Sequence, residues 1–219
     1  MAGSSEAWEP FEFGSGAAIV AHPDDETIWA GGLILMHPRC RWTVLALCRA
    51  SDADRAPKFR RALKALGASG DMGDLDDRPD QAPLADATVG DVVASMLPGA
   101  PDFGLVVTHA PGGEYTRHRR HEETSRAVAA LWRDGALGEC RLWMFAYEDD
   151  GGRRLPRAIA GAHLIRRLPE DVYRAKRAII TDIYGFAPDS FEARTTPETE
   201  AFWRFDSPAS YERWLARDR

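Results

Sequence analysis

Residues 17–36 read AAIVAHPDDETIWAGGLILM, and they are the most informative part of the sequence about the fold. Its first five residues are small or branched and apolar, which is typical of a buried β-strand. The run over residues 27–36 predicts a helix, in which Gly31 and Gly32 permit close packing onto a sheet. The polar turn at 22–26 lies where the strand ends. A buried strand that leads through a short turn into a helix predicts an α/β protein.

The same pattern continues outward along the chain. Further strands are predicted at 42–48, 103–108 and 141–147, and helices at 57–66, 84–97 and 118–132. After residue 150 the pattern predicts a strand over 158–168 and helices over 170–184 and 207–216. The Asp-, Gly- and Pro-rich stretch at 71–83 is typical of a loop, and a partly ordered loop is expected after 185.

Strands that alternate with helices predict the α/β class, with a largely parallel sheet flanked by helices. The 219 residues suit a single domain of this kind. We expect an N-terminal arm at 1–13 and the domain at 14–219. Its core is expected at about 15–150, with a C-terminal elaboration at 151–219.

Charge and composition disfavour several classes of protein. The 28 Lys and Arg against 34 Asp and Glu give a net charge of −6, which disfavours nucleic-acid binding because phosphate contacts need concentrated basic residues. The three cysteines are far apart and indicate reduced thiols in a reducing compartment. No basic, apolar N-terminal segment predicts a secretory signal, and no stretch approaches the ~18 apolar residues of a membrane span. We therefore expect a cytoplasmic protein.

The first polar cluster follows the first predicted strand. His22 stands where that strand ends, and ligands of open α/β sheets bind outside the carboxyl ends of the strands. His22 and Asp25 are three residues apart, which brings both side chains to one side of a first helical turn. Imidazole and carboxylate together suit zinc or a similar divalent ion, with Asp24 as a candidate base. The alternative is helix capping by Asp24, with Asp25 and Glu26 at the positive end of the helix dipole.

The second cluster follows the third predicted strand, which ends at His109. The turn after it leads to Tyr115, His118 and His121. One of these last two histidines would complete a three-ligand metal site with an open position for water, which a catalytic zinc requires. The alternative is that residues 117–121 form the solvated, basic start of a helix. The joint occurrence of His-x-x-Asp after one strand and His-x-x-His after another favours the metal site.

At these residues the sequence resembles a known family. The segment AHPDDE at 21–26 is similar to the signature of the PIG-L/LmbE-like zinc de-N-acetylases, and GEYTRHRRH at 113–121 is similar to their second motif. The resemblance covers roughly residues 15–150. It implies the Rossmann-like domain of that family.

The resemblance implies a role for each matching residue. His22, Asp25 and His121 match the metal ligands, with Zn²⁺ as the expected ion and Fe²⁺ as the alternative. Asp24 matches the general base. His118 matches the histidine that assists the tetrahedral intermediate or the leaving group.

Other positions bear on the substrate. Tyr115 matches a tyrosine that helps to polarise the substrate carbonyl, although two residues separate it from His118 where some members have one. The second strand is not followed by the Thr-x-Gly turn common in the family, and Arg49 there is either a substrate-binding residue or a surface residue. Arg55 fits an expected arginine, whereas Lys58 stands where an acidic residue is usual.

The implied activity is removal of an N-acetyl group from an N-acetylglucosaminyl-type conjugate. The expected partner is therefore a small N-acetylated amino sugar, and a homo-oligomer is left open. The residues also leave open the hydrolysis of another amide or of a phosphate ester, and a non-catalytic α/β binding module. Four tryptophans are candidates either to face sugar rings or to pack in the core: Trp29, Trp42, Trp132 and Trp143.

Overall fold

The computed structural model describes residues 13–97, 99, 101–115 and 118–217. The strands are β1 (Ser15–Val20), β2 (Arg41–Cys48), β3 (Ser69–Leu75), β4 (Leu105–Thr108), β5 (Arg141–Phe145), β6 (Tyr147–Glu148), β7 (Arg157–Ala158), β8 (Leu164–Arg167) and β9 (Thr199–Phe205). The helices are α1 (Asp25–Met36), α2 (Arg55–Leu66), α3 (Asp86–Met96), α4 (Arg119–Arg133), α5 (Glu170–Ala178), α6 (Phe191–Thr195) and α7 (Pro208–Arg217). A π-helical turn at Ile179–Ile183 continues α5.

Seven of the strands form one sheet in the order β3-β2-β1-β4-β5-β9-β8. The first five of these run parallel, and β9 is antiparallel to both β5 and β8. Helices α1 and α2 and the π-helical turn cover one face with one apolar cluster, and α3, α4 and α7 cover the other face with a second. The prediction of a single α/β domain with a largely parallel sheet is confirmed.

The prediction of a loop at 71–83 is wrong for its first five residues, because β3 extends to Leu75. This strand lies at the sheet edge and is largely exposed, so its sequence lacks the apolar run that marks a buried strand. Its backbone passes so close to β2 that a Cβ at Gly70 would lie 2.0 Å from the Val44 carbonyl oxygen. Gly70 lies one residue before the predicted loop, and the close approach of the two strands requires a glycine there.

The C-terminal part also departs from the prediction. The expected strand over 158–168 is divided between β7 and β8, and the loop expected after 185 contains α6 and the buried strand β9. The helices expected near 170 and 207 are both present. Gly32 permits close packing, as expected, because a Cβ there would lie 2.4 Å from the Leu168 side chain.

Of the expected arm at 1–13, residues 1–12 lie outside the described residues. Phe13 is buried, and its ring meets that of Trp143 edge to face with centroids 5.9 Å apart. None of the helices in the described residues combines the length and the apolar character that crossing a membrane requires.

Candidate metal centre

The two polar clusters meet at the carboxyl ends of β1 and β4. These strands are adjacent and parallel, with Ile19 opposite Thr108, so the residues that follow them emerge at the same edge of the sheet. His22 lies two residues beyond β1, and the first turn of α4 brings His121 to the same place. Residues 99 positions apart in the chain are thereby in contact.

Three ligand atoms form a nearly equilateral triangle. His22 Nδ1 lies 3.1 Å from Asp25 Oδ2 and 3.2 Å from His121 Nε2, and Asp25 Oδ2 lies 3.3 Å from His121 Nε2. Zinc bound tetrahedrally at about 2.0–2.2 Å from each ligand places ligand atoms about 3.3–3.5 Å apart. The triangle therefore fits an ion of this size, and its two nitrogens and one carboxylate oxygen fit the ligand chemistry of zinc.

Carboxylates behind the two histidines orient the rings. His22 Nε2 lies 2.9 Å from Asp77 Oδ1, and His121 Nδ1 lies 2.6 Å from Glu114 Oε2. When each of these nitrogens donates its hydrogen, the other ring nitrogen keeps a lone pair directed at the triangle. Such carboxylate–histidine pairs are the usual outer support of metal sites. Burial alone would raise the pKa of Glu114, but His109 and His121 outweigh it and lower that pKa to about 2.

His109 is a residue of the site to which the sequence pattern assigns no role beyond the end of a strand. Its ring stacks on that of His121 with centroids 3.9 Å apart, and its Nδ1 lies 2.8 Å from the same oxygen of Glu114. The backbone N–H of Ala21 donates to His109 Nε2 at 3.0 Å. Through its two ring nitrogens His109 therefore ties the end of β1 to Glu114.

Asp24 stands beside the triangle in a strained backbone conformation, with φ at 136°. Its side chain makes no capping hydrogen bond to α1, so the alternative of side-chain capping by Asp24 is not observed. Instead Arg55 Nη1 lies 3.2 Å from Asp24 Oδ2, while Oδ1 has no hydrogen-bond partner among the described residues. Burial and the neighbouring Asp25 carboxylate raise the pKa of Asp24 well above its usual value, against the opposing effect of Arg55.

His118 lies next to both histidines of the triangle, with ring centroids 4.6 Å from His22 and 4.4 Å from His121. Its Nδ1 is buried and has no hydrogen-bond partner within the described part of the chain. Burial and the two neighbouring histidines lower the pKa of His118 to about 3. The alternative of a solvated helix start does not describe this segment, because Arg120 and His121 are buried.

Tyr115 and Arg49 both reach the cavity beside the triangle. The Tyr115 ring lies 5.3 Å from that of His121, while Thr116 and Arg117, which follow it, lie outside the described residues. Arg49 is partly exposed, and its guanidinium is already paired with Asp77 at 2.7 Å.

The cavity has a volume of about 150 Å³ and is bordered by the first cluster, by Tyr115 and His118, and by α6. Trp29 lines it and donates its indole N–H to Asp25 Oδ1 at 3.1 Å. The other three candidate tryptophans are buried in the two apolar clusters: Trp42, Trp132 and Trp143.

No protein-family model matches the sequence, and the comparison with curated proteins finds no match. Solved structures do match. The N,N′-diacetylchitobiose deacetylase of Pyrococcus horikoshii, complexed with its inhibitor, is 14% identical over 91% of this chain and 86% of its own, with a TM-score of 0.63. A zinc-inhibited form of teicoplanin deacetylase is 14% identical over 88% of this chain and 99% of its own, with a TM-score of 0.59.

A third solved structure has a different activity. The 4-carboxy-2-hydroxymuconate hydratase of Pseudomonas putida is 15% identical over 87% of this chain and 95% of its own, with a TM-score of 0.55. At such identities the likeness concerns the fold. The chain therefore has the fold of the PIG-L/LmbE-like deacetylases, as its resemblance to that family predicts.

Proposed function

We propose that this protein is a metal-dependent hydrolase that removes the N-acetyl group from an N-acetylglucosaminyl-type conjugate. The observation that carries the proposal is the triangle of His22, Asp25 and His121 ligand atoms. His22 and Asp25 border a cavity that Asp24 also lines. Two structures with this fold are described as deacetylases, which supports the same reaction class. Zn²⁺ is the proposed ion and Fe²⁺ the alternative.

A divalent ion bound at the triangle would supply Lewis acidity, which activates water and an amide carbonyl. Asp24 would take the proton of the attacking water at Oδ1, since its Oδ2 is held by Arg55. As the C–N bond of the acetamide breaks, the same carboxyl would return the proton to the amine nitrogen. The products are acetate and a free amine.

His118 and Tyr115 would act on the carbonyl oxygen. Negative charge develops on that oxygen in the transition state, and buried hydrogen-bond donors stabilise it most effectively where water is excluded. The low pKa of His118 keeps its ring neutral near pH 7, so it would serve as a hydrogen-bond donor. The proton for the amine is then best supplied by Asp24.

The proposal is tested on protein purified without chelator. Bound metal is measured first, and acetate and primary amine are then followed with N-acetylglucosaminyl conjugates while zinc is raised from below one equivalent to excess. The range of zinc concentrations matters because the structure of a deacetylase with this fold is known in a zinc-inhibited form. We expect equal amounts of acetate and amine, with activity dependent on the metal. Release of phosphate from a phosphate ester, hydration of an unsaturated acid, or no turnover with a loaded site would contradict the proposal.

A further inference from the structure

The outer wall of the cavity comes from the C-terminal elaboration and not from the two polar clusters. Helix α6 follows α5 and its π-helical turn, and three of its residues line the cavity: Phe191, Glu192 and Thr195. Because Phe191 and Thr195 are four positions apart, they lie on the same side of this short helix. The wall therefore combines an aromatic ring, a carboxylate and a hydroxyl.

Phe191 has an exposed ring at the mouth of the cavity. The residue is 44% exposed, and its ring meets that of Tyr115 edge to face at 5.2 Å. Ile165 on β8 is the other large apolar residue exposed to this degree among the described residues, at 40%, and it does not line the cavity. Single exposed apolar residues are common, so exposure alone does not indicate a binding role. The position of Phe191 beside Tyr115 at the cavity does.

Glu192 and Thr195 both have unused hydrogen-bonding capacity. The carboxylate of Glu192 has no ion-pair partner in the described part of the chain. Thr195 is only 3% exposed, and its hydroxyl has no hydrogen-bond partner there either. A buried hydroxyl left without a partner is costly, which points to a polar group that is bound in use.

The chain before α6 is anchored to the polar clusters. Tyr184 ends the π-helical turn and donates its hydroxyl to Glu26 Oε1 at 2.8 Å, and Arg55 lies over the Phe186 ring at 4.5 Å. The hydroxyl of Ser190 accepts a hydrogen bond from the backbone N–H of Ala193 and so caps α6. These contacts hold the wall at a defined distance from Asp24 and Asp25.

We propose that Phe191, Glu192 and Thr195 form the subsite for the sugar ring of a neutral acetamido sugar. The inference rests on the proposed deacetylase reaction. A pyranose has an apolar face of C–H groups and a rim of hydroxyls, which match an exposed aromatic ring beside a carboxylate and a hydroxyl. A neutral ligand is favoured because Arg49 and Arg55, the cations among the described residues that line the cavity, are both paired with carboxylates.

The test compares a sugar with an acyclic amide. The substrates are the methyl glycoside of N-acetylglucosamine and N-acetylethanolamine, which share the acetamide but differ in the ring. Phe191→Ala should raise KM for the glycoside about three- to tenfold, and Glu192→Gln about tenfold, with kcat nearly unchanged. Both variants should leave kcat/KM for the acyclic amide unchanged. Ile165→Ala and Glu212→Gln, exposed positions away from the cavity, are the matched controls.

Thr195→Val separates binding from a structural role. The replacement keeps the shape and removes a hydroxyl that has no partner in the described protein, so the Tm should stay or rise. If the hydroxyl binds the sugar, KM for the glycoside rises a few-fold in spite of the unchanged fold. An unchanged KM in all three variants, or equal losses with both substrates, would overturn the subsite.

Calorimetric titration of the methyl glycoside into the full chain distinguishes the two proposals. In an Asp24→Asn background, which blocks the proposed chemistry, the glycoside should still bind, and Phe191→Ala should weaken this binding by the same three- to tenfold. If the glycoside binds but the wild-type protein never releases acetate, the deacetylase proposal fails and the subsite stands. If the wild-type protein does not bind the glycoside, or all variants bind equally, the subsite fails.

Discussion

The parallel and antiparallel parts of the sheet contribute different things to the cavity. The parallel strands β1 and β4 end at one edge, and the residues after them supply His22, Asp25 and, through α4, His121. The antiparallel strands β8 and β9 belong to a C-terminal region that supplies a wall, α6, and no member of the triangle. The proposed metal ligands thus lie where parallel strands end, whereas the C-terminal region that follows these strands contributes the wall of the cavity.

The two parts are also supported differently. Behind α1, Lys176 of α5 and Glu200 of β9 form a fully buried ion pair at 2.8 Å, and Glu200 also accepts the backbone N–H groups of Gly32 and Leu33. Around the triangle, Asp77 and Glu114 orient histidines. If this division is correct, substitutions around the triangle should change metal binding and turnover. Substitutions in the C-terminal region should change the free energy of unfolding.

The largest effect is expected from the triangle itself. His121→Ala removes one of the three proposed ligands and leaves a void beside His22, so bound zinc per chain should fall close to zero and turnover to background. Metal analysis of dialysed protein measures this, with circular dichroism to confirm folding. His163→Ala, a partly exposed histidine on the chain after β7, is the matched control and should keep its metal. Full zinc occupancy in His121→Ala would remove this histidine from the ligand set.

Asp24→Asn should separate metal binding from turnover. The amide keeps the shape of the carboxylate but cannot accept a proton, so kcat should fall by about 10²–10⁴-fold while bound zinc is unchanged. Steady-state kinetics on metal-loaded protein gives the comparison. An Asn variant that turns over like the wild-type protein with a filled site would show that Asp24 is not the base.

Lys176→Met tests the C-terminal support. Removing the ammonium leaves Glu200 buried without its counter-charge, and breaking a buried pair in this way typically costs about 3–5 kcal/mol in the free energy of unfolding. Urea denaturation measures the loss. The control is Arg126→Met, which breaks an exposed pair with Asp86 and should cost about 0–1 kcal/mol. A weakened zinc affinity in folded Lys176→Met would show that the two parts of the molecule are not separate.

Glu114→Gln should have the smallest effect of the four, because Glu114 acts on the triangle through histidines. A glutamine retains the size but loses the charge that both His109 and His121 face, and outer-shell changes of this kind typically cost about 10–100-fold in metal affinity. Competition with a zinc chelator measures the affinity. Glu148→Gln, at an exposed ion pair with Arg154, provides the control. Equal affinities in the two variants would mean that Glu114 serves only to pack the two rings.

Local patterns predicted the parallel part of the molecule well. Apolar runs marked β1, β2, β4 and β5, and helical spacing marked α2 and α4, because these elements are buried on one or two sides and carry the corresponding periodicity. The edge strand β3 and the strand β9 were not predicted. Strand β3 is exposed and rich in glycine and aspartate. Strand β9 is defined by its pairing with β5 and β8, which are distant in the sequence.

The positions of His22 and His109 after strands follow from the amino-acid pattern alone, because a buried apolar run ends where polar residues begin. The sequence also contains the His-x-x-Asp and His-x-x-His spacings, and the family resemblance then assigned roles that stay predictions. The residues that support the triangle and those that border the cavity are known only from the folded chain. Asp77 reaches His22 across 55 positions, and α6 arrives from the far end of the chain. Such contacts depend on how whole elements pack, so they cannot be predicted from a local pattern of polar and apolar residues.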